Sequence, residues 1–206
     1  MTRANVLAGR TVSRETMDRL EVYEALLRKW NPAINLVSRS SLDQLWYRHF
    51  EDSAQIFSLC AAESGTWTDL GAGGGFPGLV VAILAVEAKP DLSVTLVESD
   101  QRKAAFLSTV AREVGVKARI LPQRIEATPA LGADVMSARA LAPLTKLLAY
   151  ADLHLRRDGQ ALFPKGATYR EEIDQAFETW RFSHEATPSM TDPSSVILSI
   201  RDIERA

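Results

Sequence analysis

The segment Asp69-Leu70-Gly71-Ala72-Gly73-Gly74-Gly75-Phe76-Pro77-Gly78 limits what this chain can fold into more than any other. A short apolar run, Trp67–Leu70, leads into it, and Phe76-Pro77 open a helical stretch. A backbone almost free of side chains can therefore turn tightly between a strand and a helix and approach a ligand that a Cβ would exclude. From Thr66 onward short apolar runs alternate with helical stretches, the sequence form of a parallel sheet with crossover helices. Predicted strands are Trp67–Leu70, Val94–Glu98, Ala118–Leu121, Asp134–Ser137 and Ala161–Pro164. A helix from Arg102 to Val114 presents Phe106, Leu107 and Val110 on one face and stops at Gly115. Another is expected from Pro143 to Arg157, with Gly159 just beyond. Phe182–Ala186 and Val196–Arg201 suggest a closing antiparallel hairpin. The expected fold class is α/β and Rossmann-like, a central mostly parallel sheet with helices on both faces.

An N-terminal helical extension, residues 1–64, is expected to pack on this unit, residues 65–206. Met17, Leu20, Tyr23, Leu27 and Trp30 recur at helical spacing behind a Ser13 cap. Ser41-Leu42-Asp43-Gln44 reads as a capping box that starts a second helix, continued by Leu45 and Trp46. With 206 residues, 46% of them hydrophobic, the chain has enough apolar material for a core. Its 24 Lys+Arg against 26 Asp+Glu exclude a globally basic surface, so any nucleic-acid contact must be a local patch. The lone Cys60, read as a buried helix residue, excludes a disulfide framework, and three histidines give no metal site. No apolar run reaches membrane-spanning length, and the chain reads as cytoplasmic and monomeric.

The loop gains meaning from Glu98, at the end of the next strand and about 20 residues past Gly78, where Rossmann-like sites present a carboxylate to ribose hydroxyls. Either nicotinamide or S-adenosylmethionine could occupy such a loop. Asp69, two residues before the first glycine, favours the second: it could help position a cationic amino-acid end, whereas a pyrophosphate would gain nothing from it. Methyl transfer is the expected chemistry. After the fourth strand stands Asp134-Val135-Met136-Ser137-Ala138-Arg139-Ala140, not the Asn/Asp-Pro-Pro-aromatic clamp of amino-methyltransferases. Cys60 is badly placed for a pyrimidine-C5 nucleophile. The acceptor left is one already nucleophilic, such as a ring nitrogen, or one deprotonated by an unrecognised base.

The glycine loop with Phe76-Pro77-Gly78, together with Lys29-Trp30-Asn31, Asn35-Leu36, Arg48-His49, Asp52-Ser53 and Ser137-Ala138-Arg139-Ala140, resembles the bacterial 16S ribosomal RNA guanine-N7 methyltransferase family, also called glucose-inhibited division protein B. The resemblance runs from about Tyr23 to Gly166. It implies a guanine of 16S ribosomal RNA in the small ribosomal subunit as acceptor, and a class I methyltransferase fold. Cofactor contacts are expected at Asp69, Gly71, Gly73, Phe76, Glu98, Ile125, Glu126 and Arg139; of these, Gly71, Phe76, Ile125, Glu126 and Arg139 follow from position in the family motifs. RNA contacts are expected from Arg48, His49, Lys103, Arg139 and Lys165 around the pocket mouth. No general base is assigned. A small-molecule methyltransferase, favoured by the near-neutral charge, and a non-catalytic nucleotide-binding regulator are the competing readings.

Overall fold

The computed structural model describes residues 5–206. A two-stranded antiparallel hairpin, β1 (Val6–Leu7) and β2 (Arg10–Thr11), precedes the long helix α1 (Arg14–Ile34). Ser13 caps α1 as expected, its side chain accepting from the Thr16 amide at 3.1 Å. The helix closes on Asn35 in a left-handed conformation, φ 49°.

The Ser41 capping box does not form. A single 3-10 turn, Arg39–Ser41, stands there, and the Ser41 hydroxyl donates to the Ser38 carbonyl instead of receiving a helix amide. Helical structure resumes at Trp46–Glu51 as a π-helical turn that runs straight into α2 (Asp52–Ser58). Cys60 is buried but lies two residues beyond α2.

Strand β3 (Gly65–Leu70) and α3 (Gly78–Ala88) flank the glycine loop. Then follow β4 (Leu92–Val97), α4 (Gln101–Glu113), β5 (Ala118–Leu121), β6 (Ala133–Ser137), α5 (Leu144–His154), β7 (Leu155–Lys165), α6 (Tyr169–Phe177), β8 (Trp180–Pro188) and β9 (Val196–Arg205). The seven strands lie in the order β5-β4-β3-β6-β7-β9-β8, parallel except at the two pairings of β9. Strands alternate their apolar side chains between two clusters, as the pleat requires. Leu96, Val135, Leu162 and Ile197 face α1 to α4, whereas Val97, Met136, Phe163 and Leu198 face α5 and α6. The N-terminal helices thus share one core with α3 and α4. No helix among the described residues is long and apolar enough to cross a membrane.

Two expectations at the sheet's second half need correction. The helix beginning near Pro143 ends at His154, not Arg157, and residues 155–159 already belong to β7. Gly159 is not a helix cap: a Cβ there would stand 2.7 Å from Leu155 Cγ, so the glycine permits close strand packing. Helix α6, absent from the sequence expectations, carries Tyr169, Ile173, Ala176 and Phe177 at helical spacing, and buries Ile173 and Ala176.

Candidate active site

The chain builds β3, β4 and β5 outward on one side, then crosses back to place β6 against β3. Ligands of open α/β sheets bind beyond the carboxyl ends of the strands at such a reversal. Here the glycine loop after β3 and the Ala138–Pro143 segment after β6 face each other, and a cleft of about 850 Å³ opens between them, of the size usual for a small-molecule site.

The loop is fixed from three sides. Gly71 has φ +65°, and a Cβ on it would sit 2.6 Å from Leu141 Cδ1, so the loop and the post-β6 segment touch. Gly75 has φ +94°, and a Cβ there would meet the Tyr23 hydroxyl at 2.5 Å and Leu79 Cδ1 at 2.6 Å. Tyr23, fully buried on α1, donates to the Gly74 carbonyl and stacks on Phe76 with ring centroids 5.3 Å apart. Burial pushes its phenol well above the usual tyrosine range. The apolar stripe of α1 predicts Tyr23 as a core residue; that its hydroxyl serves the loop is visible only in three dimensions.

Glu98, which the sequence marks out for ribose, lines the cleft and is 8% exposed. Its Oε2 accepts from the Gly73 amide at 2.8 Å and its Oε1 from the Asp100 amide at 2.7 Å. A carboxylate offers about four acceptor positions, so two remain for a vicinal diol. Asp100 caps α4 through the Arg102 and Lys103 amides. At the cleft's other end Ile125 and Glu126 form a 3-10 turn. Glu126 accepts from the Tyr150 hydroxyl at 2.5 Å, which holds its carboxyl below the usual range, and Lys146 stands 3.7 Å away. His154, fully buried at the end of α5, is 3.1 Å from the Ile125 carbonyl through Nε2 and ties this turn to the helix.

Asp69 is not on the cleft wall. It lies fully buried beneath the loop, where Oδ2 accepts from the Gly78 amide (3.0 Å) and Oδ1 from the Ser137 hydroxyl (2.7 Å). Ser137 in turn accepts from Trp67 Nε1 at 2.8 Å. Asp69 therefore joins β3, β6 and the start of α3 at the switch point. Burial raises its carboxyl to about 7 despite these hydrogen bonds.

Arg139 lies on the wall over the Phe76 ring, 5.4 Å from its centroid. Its NH1 donates to the Arg48 carbonyl (3.2 Å) and to Asp52 Oδ2 (3.3 Å), and its NH2 donates to His49 Nδ1 (2.7 Å). An acceptor Nδ1 puts the His49 proton on Nε2, which donates to Ser41 Oγ at 3.0 Å. His49 also stacks on Phe76 at 4.9 Å, and burial, then Arg139 and Arg48, lower its pKa to about 3. It is a neutral prop for Arg139 and Phe76, with both nitrogens partnered inside the chain, and not a cation for RNA.

Of the remaining RNA candidates, Arg48 and Lys103 line the cleft and make no ion pair among the described residues. Lys165 does not reach this mouth. Its side chain is 8% exposed, and the ammonium donates to Glu172 Oε2 (2.7 Å) and the Ala142 carbonyl (3.0 Å). Glu172 also accepts from the Leu144 amide at 2.7 Å, so the pair braces the post-β6 segment against α6. The apolar spacing of Tyr169, Ile173, Ala176 and Phe177 marks a helix that carries Glu172, but its pairing with Lys165 exists only once α6 packs against the end of β7. Among the described residues no group of three His, Cys, Asp or Glu side chains could hold a metal.

A family model described as rRNA small subunit methyltransferase G matches residues 16–197. A protein of that name from a Ruegeria species is 53% identical over 194 residues, 94% of each chain. One from Cereibacter sphaeroides is 54% identical over 190 residues, 92% of this chain and 91% of its own. Among solved structures, a TehB-like SAM-dependent methyltransferase from Corynebacterium glutamicum superposes with TM-score 0.58 at 16% identity, covering 91% of this chain and all of that one. A ribosomal protein L11 methylase from Lactobacillus delbrueckii gives 0.59 at 20% identity over 74% of this chain and 77% of its own. At these identities the structural likeness speaks to the Rossmann-like fold alone.

Proposed function

The chain belongs to the rRNA small subunit methyltransferase G family, and on that premise we propose that it methylates N7 of a guanine in 16S ribosomal RNA. It is a ribosomal RNA methyltransferase whose methyl donor is S-adenosylmethionine. The observation that carries the reading is the Glu98 carboxylate tied to the Gly73 amide on the wall of the switch-point cleft.

The residues present fit this cofactor. Glu98 keeps acceptor positions for ribose hydroxyls. Ile125 offers an apolar surface and the Glu126 turn its backbone to the adenine. Gly71 and Gly73 leave room for the amino-acid end, and Phe76 with Arg139 bounds it. Asp69 acts beneath them, holding the loop and α3 in place. When bound, the cofactor supplies a methyl group on a sulfonium whose carbon-sulfur bond breaks as the acceptor's lone pair bonds to the carbon.

Guanine N7 has its lone pair free at neutral pH, so the chain must orient the base and exclude water, not remove a proton. Methylation leaves positive charge on the base, and a cation donating to N7 would oppose it. The guanidinium of Arg139 is turned toward Asp52, His49 and the Arg48 carbonyl, and His49 stays neutral. Both features spare N7 a facing donor. In A-form RNA, N7 lies in a groove too deep and narrow for protein, so the guanine must come from a loop or leave its stack.

The test uses small subunits from cells lacking this protein, incubated with enzyme and isotopically labelled cofactor, with nucleosides read by mass spectrometry. One labelled 7-methylguanosine per 16S molecule is expected. Glu98→Gln should weaken cofactor binding by about tenfold or more. A label on any other atom, or on RNA of the large subunit, would overturn the assignment.

A further inference from the structure

The cofactor cleft accounts for one of the two ligands that methyl transfer requires. A second, smaller cleft of about 260 Å³ lies on the far side of the post-β6 segment and shares with the first only Arg48, Arg139 and Ala140. A third, about 660 Å³, continues from it past Pro164, Lys165 and Gly166 at the end of β7. Among the described residues Ala140 alone lines all three. It holds φ +51°, a conformation that costs a non-glycine residue energy and is tolerated where surrounding contacts enforce it. Leu141 against Gly71 and the Lys165–Glu172 brace on Ala142 supply that enforcement on both sides.

We propose that the second cleft is the acceptor-base subsite, with the base entering over Gly166 and its reactive edge meeting the cofactor cleft at Ala140. The inference rests on the methyl-transfer reading above and extends it to the substrate side. The 260 Å³ hollow has room for one heterocyclic base. Among its lining residues is Asp52, a carboxylate that suits the donors on a guanine edge, with the hydroxyls of Ser189 and Thr191 beside it bonded to each other and to Gln55. Asp52 is held in place there, accepting from Thr191 Oγ1 at 2.9 Å and Gln55 Nε2 at 2.8 Å on one oxygen and from Arg139 on the other. A carboxylate on the far edge of the base also suits the positive charge that methylation creates. Arg48, exposed where the two clefts open and without an ion pair among the described residues, is placed for the phosphate of the same nucleotide. The third cleft leaves space for flanking nucleotides.

Gly166 allows this to be tested without touching the cofactor. A Cβ at this position meets no atom within 4 Å, and its φ lies outside the left-handed region, so a side chain fits the backbone and projects into open space. Gly166→Leu should keep the wild-type unfolding midpoint and bind S-adenosylhomocysteine within about twofold of wild type by calorimetry. Its kcat/KM on unmethylated small subunits should fall by about tenfold or more. Ser195→Leu narrows the same cleft from the β8–β9 side and should act alike, which secures the test should one variant misfold. Full turnover by a folded variant would overturn the subsite. An equal loss of S-adenosylhomocysteine binding would also overturn it, because the cleft would then belong to the cofactor. Wild-type enzyme that leaves 7-methylguanosine absent from small subunits defeats the guanine-N7 reading itself, and is distinguishable from either result.

Discussion

Asp69 offers the sharpest physical test of the switch point. In the folded chain its carboxyl is raised from 3.8 to about 7, chiefly because burial disfavours the charge. The folded state therefore holds a proton that the unfolded chain gives up near its ordinary value. The stability this contributes is fully present below about pH 4, declines as pH rises, and is gone above about pH 7. Roughly three units at ~1.4 kcal/mol each make the whole span about 4 kcal/mol, of which about 3 kcal/mol lies between pH 5 and pH 8. Asp69→Asn removes the titration. The amide loses one of the two acceptor oxygens that serve Gly78 and Ser137, but that loss is the same at every pH. The other carboxylates cancel between the two proteins. Urea unfolding followed by tryptophan fluorescence, with Trp67 fully buried as reporter, should show the variant gaining about 3 kcal/mol on wild type between pH 5 and pH 8. A difference constant across that range would refute the raised carboxyl and, with it, the account of Asp69 as a dry brace beneath the loop.

Tyr23→Phe should strand the buried Gly74 carbonyl, cost about 1–3 kcal/mol in urea unfolding, and weaken S-adenosylhomocysteine binding by calorimetry. Gly71→Ala should lower cofactor affinity by about tenfold or more, and Leu141→Ala should recover part of it, because Leu141 Cδ1 is what the new Cβ strikes. Lys165→Met should destabilise by about 3 kcal/mol by leaving Glu172 without its cation in a partly buried site, and Arg48→Ala should reduce the log-log slope of RNA binding against salt by about one. With His49 held neutral down to about pH 3, kcat/KM should show no limb from an ordinary histidine between about pH 5 and pH 8.

Glycines with an apolar strand before them and a helix after, Glu98 at the end of the next strand, and a 3.6-residue stripe on α1 are local or periodic features, and these alone prescribe the sheet, the loop and the carboxylate that faces it. Gly73 and Glu98, marked by the loop and the strand after it, and Gly71, Phe76, Ile125, Glu126 and Arg139, implied by the family resemblance, line one cleft together with Arg48 and Lys103. What a single chain of letters could not settle is which polar groups find each other. Asp69 pairs with Ser137 and not with the cleft, Lys165 with Glu172, His49 with Arg139, and Tyr23 with Gly74, at separations of 68, 7, 90 and 51 residues. A buried charge or hydroxyl must find a partner to offset its lost hydration, but burial is a property of packing, and packing exists only once the layers close. The left-handed Ala140 at the meeting of three clefts belongs to the same category: its strain is set by Leu141 on one side and the Lys165 brace on the other.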